Sequence, residues 1–203
     1  MPAYLNTVLS FAEVKTEPGI DTKTFLEAAD GVVGLFDLLG STAFAAVTSD
    51  ISGNIKKVRT RYNSDPVKNA TLQSLVQSES TEKSKTAREG LLWLLRGLQF
   101  TCTALLKAQE TKTLELATAF NQAYEVTLKQ FHNFVVKGVF SIAMKACPYR
   151  ADFYAKLSHD PDGGVSVASD VVSTSLDSWL AALNNIITTM FAYYEANGYA
   201  KGL

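Results

Sequence analysis

The sequence predicts an all-α protein. Over most of its 203 residues, apolar side chains recur at intervals of three and four, the spacing of one face of an α-helix. Alternating runs of β-branched residues between hairpin turns do not occur, so a sheet is not expected. No segment repeats at a fixed period, and a hydrophobic content of 47% is enough for a sizeable core. We therefore expect one helical domain over residues 1–203, with a loosely ordered start at residues 1–20.

Two helices are predicted on either side of Gly40. A Pro-Gly pair at 18–19 interrupts the chain ahead of the first helix, and Thr22 or Thr24 is the candidate N-cap. Gly40 is expected to end this helix, because glycine readily adopts the backbone conformation found at helix C-termini. The second helix is expected over 42–62, where apolar residues at helical spacing form a stripe.

The remaining elements are also helical. Residues 63–66, Asn-Ser-Asp-Pro, are expected to end the second helix and to cap a short one that contains Leu72 and Val76. The segment 86–107 is apolar on nearly all sides, which predicts a central helix. A turn-rich loop is expected at 159–164. The other predicted helices cover 113–130, 132–146, 150–157 and 166–197, the last as one helix or a pair.

Three polar side chains share one face of the second predicted helix. Asp50, Asn54 and Lys57 stand at i, i+4 and i+7, and they offer acceptors and donors suited to several hydroxyls at fixed spacing. Trp93 adds a flat face on which the C–H face of a pyranose can pack. The combination suggests sugar recognition beside an apolar interior. The residues alone leave the alternatives open, since such a stripe is more often a solvated face and a lone tryptophan more often core.

The residues give little support for an enzyme. Only two histidines occur; His159 is expected in a surface loop, and a core position is the default for His132. Asp50 and Lys57 could serve as acid and base, but no nucleophile accompanies them. No cluster has metal-ligand spacing, and no glycine-rich phosphate loop is present. We therefore expect neither catalysis nor a metal or cofactor.

Net charge and cysteine content further narrow the class of protein and its expected compartment. A net charge of −1 provides no general attraction to nucleic acid. Cys102 and Cys147 lie in apolar segments, where reduced, buried thiols are expected. The first residues lack the basic region of a signal peptide, and Lys137 and Lys145 interrupt the most apolar stretch. A soluble protein of the cytosol is therefore expected.

Five motifs follow one another between residues 25 and 157. They are Phe36-Asp-Leu-Leu-Gly-Ser41, Asp50-Ile-Ser-Gly-Asn54 with Lys57, Leu92-Trp-Leu-Leu-Arg-Gly-Leu98, the segment from Tyr124 to His132, and Ala146-Cys-Pro-Tyr-Arg-Ala-Asp-Phe153. In this order they resemble the signatures of the glycolipid transfer protein family, most closely its fungal-type members. The resemblance implies a two-layer helical sandwich that encloses a lipid in an apolar chamber.

The resemblance also implies roles for individual residues. Asp50 and Asn54 would hydrogen-bond hydroxyls of the first sugar, Lys57 would add a donor, and Trp93 would stack on the ring. His132 would donate to the amide oxygen of the ceramide. The chamber would be lined by seven apolar residues, Phe36, Phe44, Val47, Phe100, Leu128, Phe140 and Phe153.

Four further positions bear on the resemblance. Phe134 stands where animal members carry a tryptophan that helps them dock at a bilayer, and Glu89 replaces an apolar residue beside the sugar. Tyr199 is the candidate for a C-terminal tyrosine that touches the ligand. Gly53, at a cost of about 1 kcal/mol relative to alanine within a helix, fits either a nearby ligand or a tight helix–helix contact.

The implied function is non-enzymatic binding of a glycosphingolipid and its transfer between membranes. The expected ligands are simple glycosylceramides such as glucosyl-, galactosyl- or lactosylceramide, carried by a monomer in transient contact with membranes. One alternative is a glycolipid sensor or adaptor that signals to a protein partner. Another is transfer of ceramide phosphate, which Trp93 disfavours because those relatives place there an arginine that pairs with phosphate.

Overall fold

The regular elements of the computed structural model, which describes residues 3–159 and 167–201, are helices. This confirms the all-α prediction. None of the helices in these ranges combines the length and apolarity that crossing a bilayer requires. In chain order they are α1 (Ala3–Thr7), a 3-10 helix (Phe11–Glu13), α2 (Thr22–Ser64), α3 (Leu72–Ser80), α4 (Thr86–Glu110), α5 (Leu116–Val126), a second 3-10 helix (Lys129–Phe131), α6 (Phe134–Lys145), α7 (Arg150–Ser158) and α8 (Ser169–Ala196).

Helix α4 is the centre of the packing, as its all-round apolar surface predicts. It contacts α2, α3, α5 and α8, while α2 also packs against α6 and α7. Helix α6 also contacts α5, and α7 also contacts α8. The junction between α2 and α4 is the most extensive among the described elements.

Helix α2 begins and breaks for local reasons. Asp21, and neither Thr22 nor Thr24, is its N-cap, because Oδ1 of Asp21 accepts from the backbone N–H of Thr24 at 2.9 Å. The hydroxyl of Thr22 instead donates to the Asn69 carbonyl at 2.8 Å. At Gly40 the helical run is interrupted by φ 113° and ψ 97°, so the predicted end of the first helix is confirmed as a break.

The connection from α2 to α3 differs from the prediction. Residues 63–66 end α2 but do not cap α3, since Oδ1 of Asp65 accepts from the backbone N–H of Lys68 at 3.0 Å. The cap of α3 is Thr71, whose hydroxyl oxygen accepts from the backbone N–H of Ser74 at 3.1 Å. The two alternatives look alike in sequence, because both are short polar segments before an apolar run.

The helix predicted over 113–130 is shorter than expected and covers Leu116–Val126. Thr127 leaves the helical conformation, with φ −117° and ψ −82°, and its hydroxyl donates to the carbonyl of Ala123 at 2.7 Å. A threonine hydroxyl that bonds the carbonyl four residues earlier slightly destabilises a helix and often bends it. The chain after Val126 is therefore free to turn back between α5 and α6.

The last two helices largely follow the predicted bounds. Arg150–Ser158 matches the expected 150–157, and α8 is one helix over Ser169–Ala196. His159 is exposed, as expected of a loop residue. The rest of the predicted loop at 159–164, and the predicted helix start at 166, lie outside the described residues.

Four apolar side chains within residues 3–20 are packed, which differs from the expectation of a loosely ordered start. Leu5, Phe11, Val14 and Ile20 are all buried. The ring of Phe11 meets Trp179 of α8 edge-on, with centroids 4.9 Å apart. The irregular spacing of these apolar residues leaves no periodic signal, so only their position against the core reveals their burial.

The two cysteines are free thiols. Cys102 is buried, as expected, whereas Cys147 is only half-buried. Desolvation raises the pKa of each thiol to about 12. Both therefore remain protonated near neutral pH and are weak nucleophiles.

Candidate functional site

A pocket of about 470 Å³ lies between α2, α4 and the connection from α5 to α6. A larger hollow of about 1020 Å³, between α7 and α8, contains none of the predicted site residues. The smaller pocket is therefore the candidate site. Eight predicted residues line it: Val47, Asp50, Asn54, Lys57, Trp93, Leu128, His132 and Phe140.

The polar residues of α2 form one wall of the pocket. Asn54 is 2% exposed, whereas Asp50 and Lys57 are exposed at the rim. The Nζ of Lys57 donates to Oδ1 of Asn54 at 3.0 Å. Partial desolvation raises the pKa of the Asp50 carboxyl even though it reaches solvent, and the charge of Lys57 and a hydrogen bond from Asn54 oppose that shift. These contacts orient a carboxylate, an amide and an ammonium toward the same space.

Two glycines let α4 approach this wall closely. A Cβ at Gly90 would lie 3.0 Å from Cβ and Cδ of Lys57, and one at Gly97 would lie 3.4 Å from Cγ1 of Ile51. Gly97 stands in the motif from Leu92 to Leu98 and Gly90 two residues before it, but the sequence does not reveal which helix they face. Their lack of side chains brings Trp93 opposite Asn54 and Lys57 across the pocket.

Trp93 is held by Arg96, which follows it by three residues on α4, and by Phe131, which the sequence did not identify. The ring of Phe131 lies edge-on to it, with centroids 6.0 Å apart. The guanidinium carbon of Arg96 lies 4.7 Å from the centroid of Trp93 and 3.8 Å from that of Phe131. This arrangement gives two cation–π contacts, and desolvation lowers the pKa of Arg96. The indole is thus fixed in orientation while part of it remains open to the pocket.

His132 lies in the connection ahead of α6 and not within a helix as predicted. Its backbone is extended, with φ −98° and ψ 135°, and the next residue, Asn133, is the N-cap of α6. The planes of the imidazole and the Trp93 ring differ by 17°, with their centroids 6.4 Å apart. The imidazole centroid lies 4.6 Å from that of the Phe140 ring. Its Nδ1 is 3.1 Å from the hydroxyl oxygen of Tyr124. Desolvation, assisted by the charge of Lys137, lowers the pKa of His132 and favours the neutral ring.

The seven predicted chamber residues are all buried. Val47, Leu128 and Phe140 border the pocket, and the other four lie deeper in the core. A series of rings, here called the aromatic row, leads inward from His132. Its successive centroid distances are 4.6 Å to Phe140, 5.7 Å to Phe100, 5.4 Å to Phe120, 6.0 Å to Phe44 and 5.3 Å to Phe36. Phe153 packs beside Tyr154 on α7, outside this row.

The positions of Gly53, Glu89 and Tyr199 bear on three other sequence-based expectations. A Cβ at Gly53 would have no neighbouring heavy atom within 4 Å, which rules out the tight helix–helix contact. Glu89 lines the pocket at its exposed rim. Tyr199 does not line it; its ring centroid is 5.7 Å from that of Tyr193 and 5.9 Å from the guanidinium carbon of Arg88.

Comparison with known proteins identifies the family. Residues 20–159 match the family model described as glycolipid transfer protein (GLTP). A glycolipid transfer protein of Aureobasidium melanogenum is 46% identical over 179 residues, which cover 88% of this chain and 85% of that protein. The chain belongs to the glycolipid transfer protein family.

Solved structures agree with this family assignment. HET-C2, a fungal glycolipid transfer protein, superposes with a TM-score of 0.89 at 43% identity, over 98% of this chain and 99% of that one. FAPP2, described as selecting simple glycosphingolipids with the GLTP fold, superposes with a TM-score of 0.86 at 32% identity, over 99% of this chain and 98% of that one. The predicted family and its two-layer helical fold are thereby confirmed. The family is one of lipid transfer.

Proposed function

We propose that the protein binds a glycosphingolipid and carries it between membranes without altering it chemically. The observation that supports this most directly is one pocket in which the polar wall of α2, Trp93 and His132 meet apolar residues. All these groups come from a single chain, so we propose a monomer as the working unit. We propose the cytosol as its setting, because the free thiols of Cys102 and Cys147 suit a reducing compartment.

The polar wall suits the first sugar of the headgroup. The Asp50 carboxylate can accept from two hydroxyls, while the Asn54 amide and the Lys57 ammonium can donate. Opposite them, Trp93 offers an aromatic surface for the C–H face of the ring. Each hydrogen bond to a neutral group contributes only about 1 kcal/mol net, and those to charged groups about 1.5–3 kcal/mol. This wall therefore selects the headgroup more than it supplies total affinity.

His132 suits the amide of the ceramide. When the Tyr124 hydroxyl donates to Nδ1, the proton of the neutral ring resides on Nε2. This N–H is then a donor for a carbonyl oxygen placed between the sugar and the hydrocarbon. The lowered pKa of His132 keeps the ring in this state near neutral pH.

The aromatic row suits the hydrocarbon. Removing a methylene from water contributes about 0.8 kcal/mol, so a chain of roughly 16 carbons left in water would cost more than ~12 kcal/mol. A carrier must therefore enclose the chain in a dry interior. The row begins at the pocket and runs inward to Phe36. A hydrocarbon chain of the lipid can insert along this path by separating the packed rings.

A transfer assay on the purified protein tests the proposal. Fluorescent glucosylceramide in donor vesicles is mixed with the protein and acceptor vesicles, and the labelled lipid is then analysed by mass. We expect transfer at a rate proportional to protein concentration, unchanged lipid mass, and much slower transfer of ceramide phosphate. Transfer no faster than without protein, or a change in lipid mass, would refute the proposal.

Membrane contact is proposed at the exposed apolar side of α6 and the turn after it. Phe134 is 91% exposed, Ile142 70% and Tyr149 75%, and Lys137 and Lys145 lie among them. Such a surface matches the boundary between lipid headgroups and acyl chains. It flanks the connection that carries His132, so docking there would bring the pocket close to the bilayer.

Changing Phe134 to glutamate is expected to slow transfer between vesicles about tenfold. Inserting an aromatic ring into the bilayer contributes roughly 1.5–3 kcal/mol to the free energy of membrane binding. A carboxylate at this position does not make that contribution. Binding of a short-chain, water-dispersed glucosylceramide should not change. The control is Val67→Glu, because Val67 is 88% exposed but lies between α2 and α3. Equal slowing by both substitutions would argue against a docking role for this surface.

A further inference from the structure

Gly53 is a glycine that neither its backbone nor its packing requires. Among the described residues, positive φ occurs only at Gly40 and Gly198, so Gly53 has a conformation open to any residue. A Cβ there would meet no atom within 4 Å, in contrast to Gly90. Gly138, on the proposed docking side of α6, is similarly free. Since glycine inside a helix costs about 1 kcal/mol relative to alanine, the open space above Gly53 calls for an explanation outside the fold.

The space above Gly53 joins two depressions on the surface of α2. One, of about 480 Å³, is bordered by Asp50, Gly53, Asn54 and Lys57 and adjoins the candidate pocket. The other, of about 560 Å³, is here called the outer groove; Gly53 and Lys57 border it too. A molecule that leaves the polar wall in this direction passes directly over Gly53. The outer groove is further lined by Lys56, Thr60, Arg61, Ser64, Glu79, Ser84, Thr86 and Ala87.

Two charged residues of the outer groove are already engaged within the protein. Arg61 binds Glu82, with 2.7 Å between Nη2 and Oε1. Glu79 accepts from the backbone N–H groups of Ala87 at 3.1 Å and Arg88 at 2.6 Å, which caps α4. Neither group can turn to a ligand without giving up these bonds.

The remaining polar groups of the groove are small and exposed. The hydroxyl oxygens of Ser84 and Thr86 lie 3.2 Å apart, and the Thr60 hydroxyl donates to the carbonyl of Lys56 at 2.8 Å, which leaves its lone pairs available. The Lys56 ammonium is exposed beside them. Hydroxyls and the ammonium groups of Lys56 and Lys57, with no aromatic surface among the lining residues, suit the hydroxyl-rich edge of a sugar more than an acyl chain.

We propose that the outer groove binds the second sugar of a diglycosylceramide and that Gly53 determines this specificity by leaving the path to it open. The proposal rests on the function proposed above, because it takes the first sugar to lie against Asp50, Asn54 and Trp93. The second ring then lies over Gly53 and meets Lys56 and Thr60. A side chain at position 53 would obstruct that ring more than the first.

The test compares transfer of lactosylceramide with transfer of glucosylceramide by the same proteins. For Gly53→Leu we expect glucosylceramide transfer within twofold of the parent and lactosylceramide transfer reduced at least tenfold. For Gly53→Ala, which adds one methyl group, we expect a smaller fall in the ratio of lactosylceramide transfer to glucosylceramide transfer. The control is Ser52→Leu, which places the same exposed side chain on the neighbouring residue, outside both depressions.

A second variant tests the groove without filling it. Lys56→Ala combined with Thr60→Val is expected to reduce lactosylceramide transfer severalfold and to leave glucosylceramide transfer unchanged. Equal effects on both lipids in either variant, or no effect on lactosylceramide, would overturn the proposal. A parent protein that transfers glucosylceramide but not lactosylceramide would also overturn it. A parent that transfers neither lipid would instead refute the underlying transfer function.

Discussion

Asp50→Val is expected to reduce glycolipid transfer at least tenfold while the fold persists. The carboxylate is exposed at the rim of the pocket, and its polar partners among the described residues are Asn54 and Lys57. Its loss removes an ionised acceptor for sugar hydroxyls, worth about 1.5–3 kcal/mol per hydrogen bond, or roughly 10- to 100-fold in affinity. Lys57 still donates to the Asn54 side-chain carbonyl oxygen, while the Asn54 amide N–H loses its acceptor on Asp50 and turns to the pocket. Vesicle transfer and the melting temperature measure the two effects separately.

The matched control for Asp50 is Glu27→Val. Glu27 is another exposed carboxylate on α2, paired with Lys23 at 3.9 Å and absent from the lining of the pocket. The Glu27→Val protein should transfer glycolipid at the parent rate. A large fall in melting temperature for Asp50→Val would mean that the carboxylate supports the fold, and normal transfer would mean that it does not read the sugar.

Trp93→Arg is expected to change the class of ligand. The substitution removes the ring against which the sugar packs and adds a planar donor that suits phosphate. Arg96, whose guanidinium lies 4.7 Å from the Trp93 centroid, and Lys57 place two cationic groups near residue 93, with the carboxylates of Asp50 and Glu89 at the rim. We expect glycolipid transfer to fall at least tenfold and ceramide phosphate binding to become measurable. Without an anion, repulsion between the two guanidinium groups should also lower the melting temperature.

The measurement for Trp93→Arg is the rise in melting temperature on adding each lipid, since a ligand stabilises the state that binds it. Trp93→Phe is the control, because it keeps a smaller ring beside Arg96 and adds no charge. This control should retain part of the stabilisation by glucosylceramide and show none by ceramide phosphate. If Trp93→Arg is still stabilised by glucosylceramide and not by ceramide phosphate, residue 93 does not determine headgroup class.

Local features of the structure could be predicted because their causes are local. Asp50, Asn54 and Lys57 share a face through helical spacing alone, and the break at Gly40 follows from glycine's backbone freedom. The central place of α4 follows from its all-round apolar surface. Boundaries with competing local signals were less predictable, as at Thr71, where a nearby alternative cap was equally plausible.

Features that depend on contact across the fold could not be predicted from pattern. Arg96 lies on α4 and Phe131 in the connection after α5, yet the Arg96 guanidinium lies over the Phe131 ring. Burial of the start of the chain has the same origin, since Phe11 is apolar but belongs to no periodic stripe. Such contacts arise only when distant segments pack together.

The sequence by itself determined the helical class, the family and the residue types of the candidate site, because spacing and motif order are properties of the chain. The tertiary structure decided which of those residues meet. It joined Trp93 to the polar wall of α2, since Gly90 and Gly97 permit close packing of α4. It brought His132 beside Trp93, since Thr127 ends α5 early. It also left Gly53 facing open space, because none of the described helices packs over that side of α2.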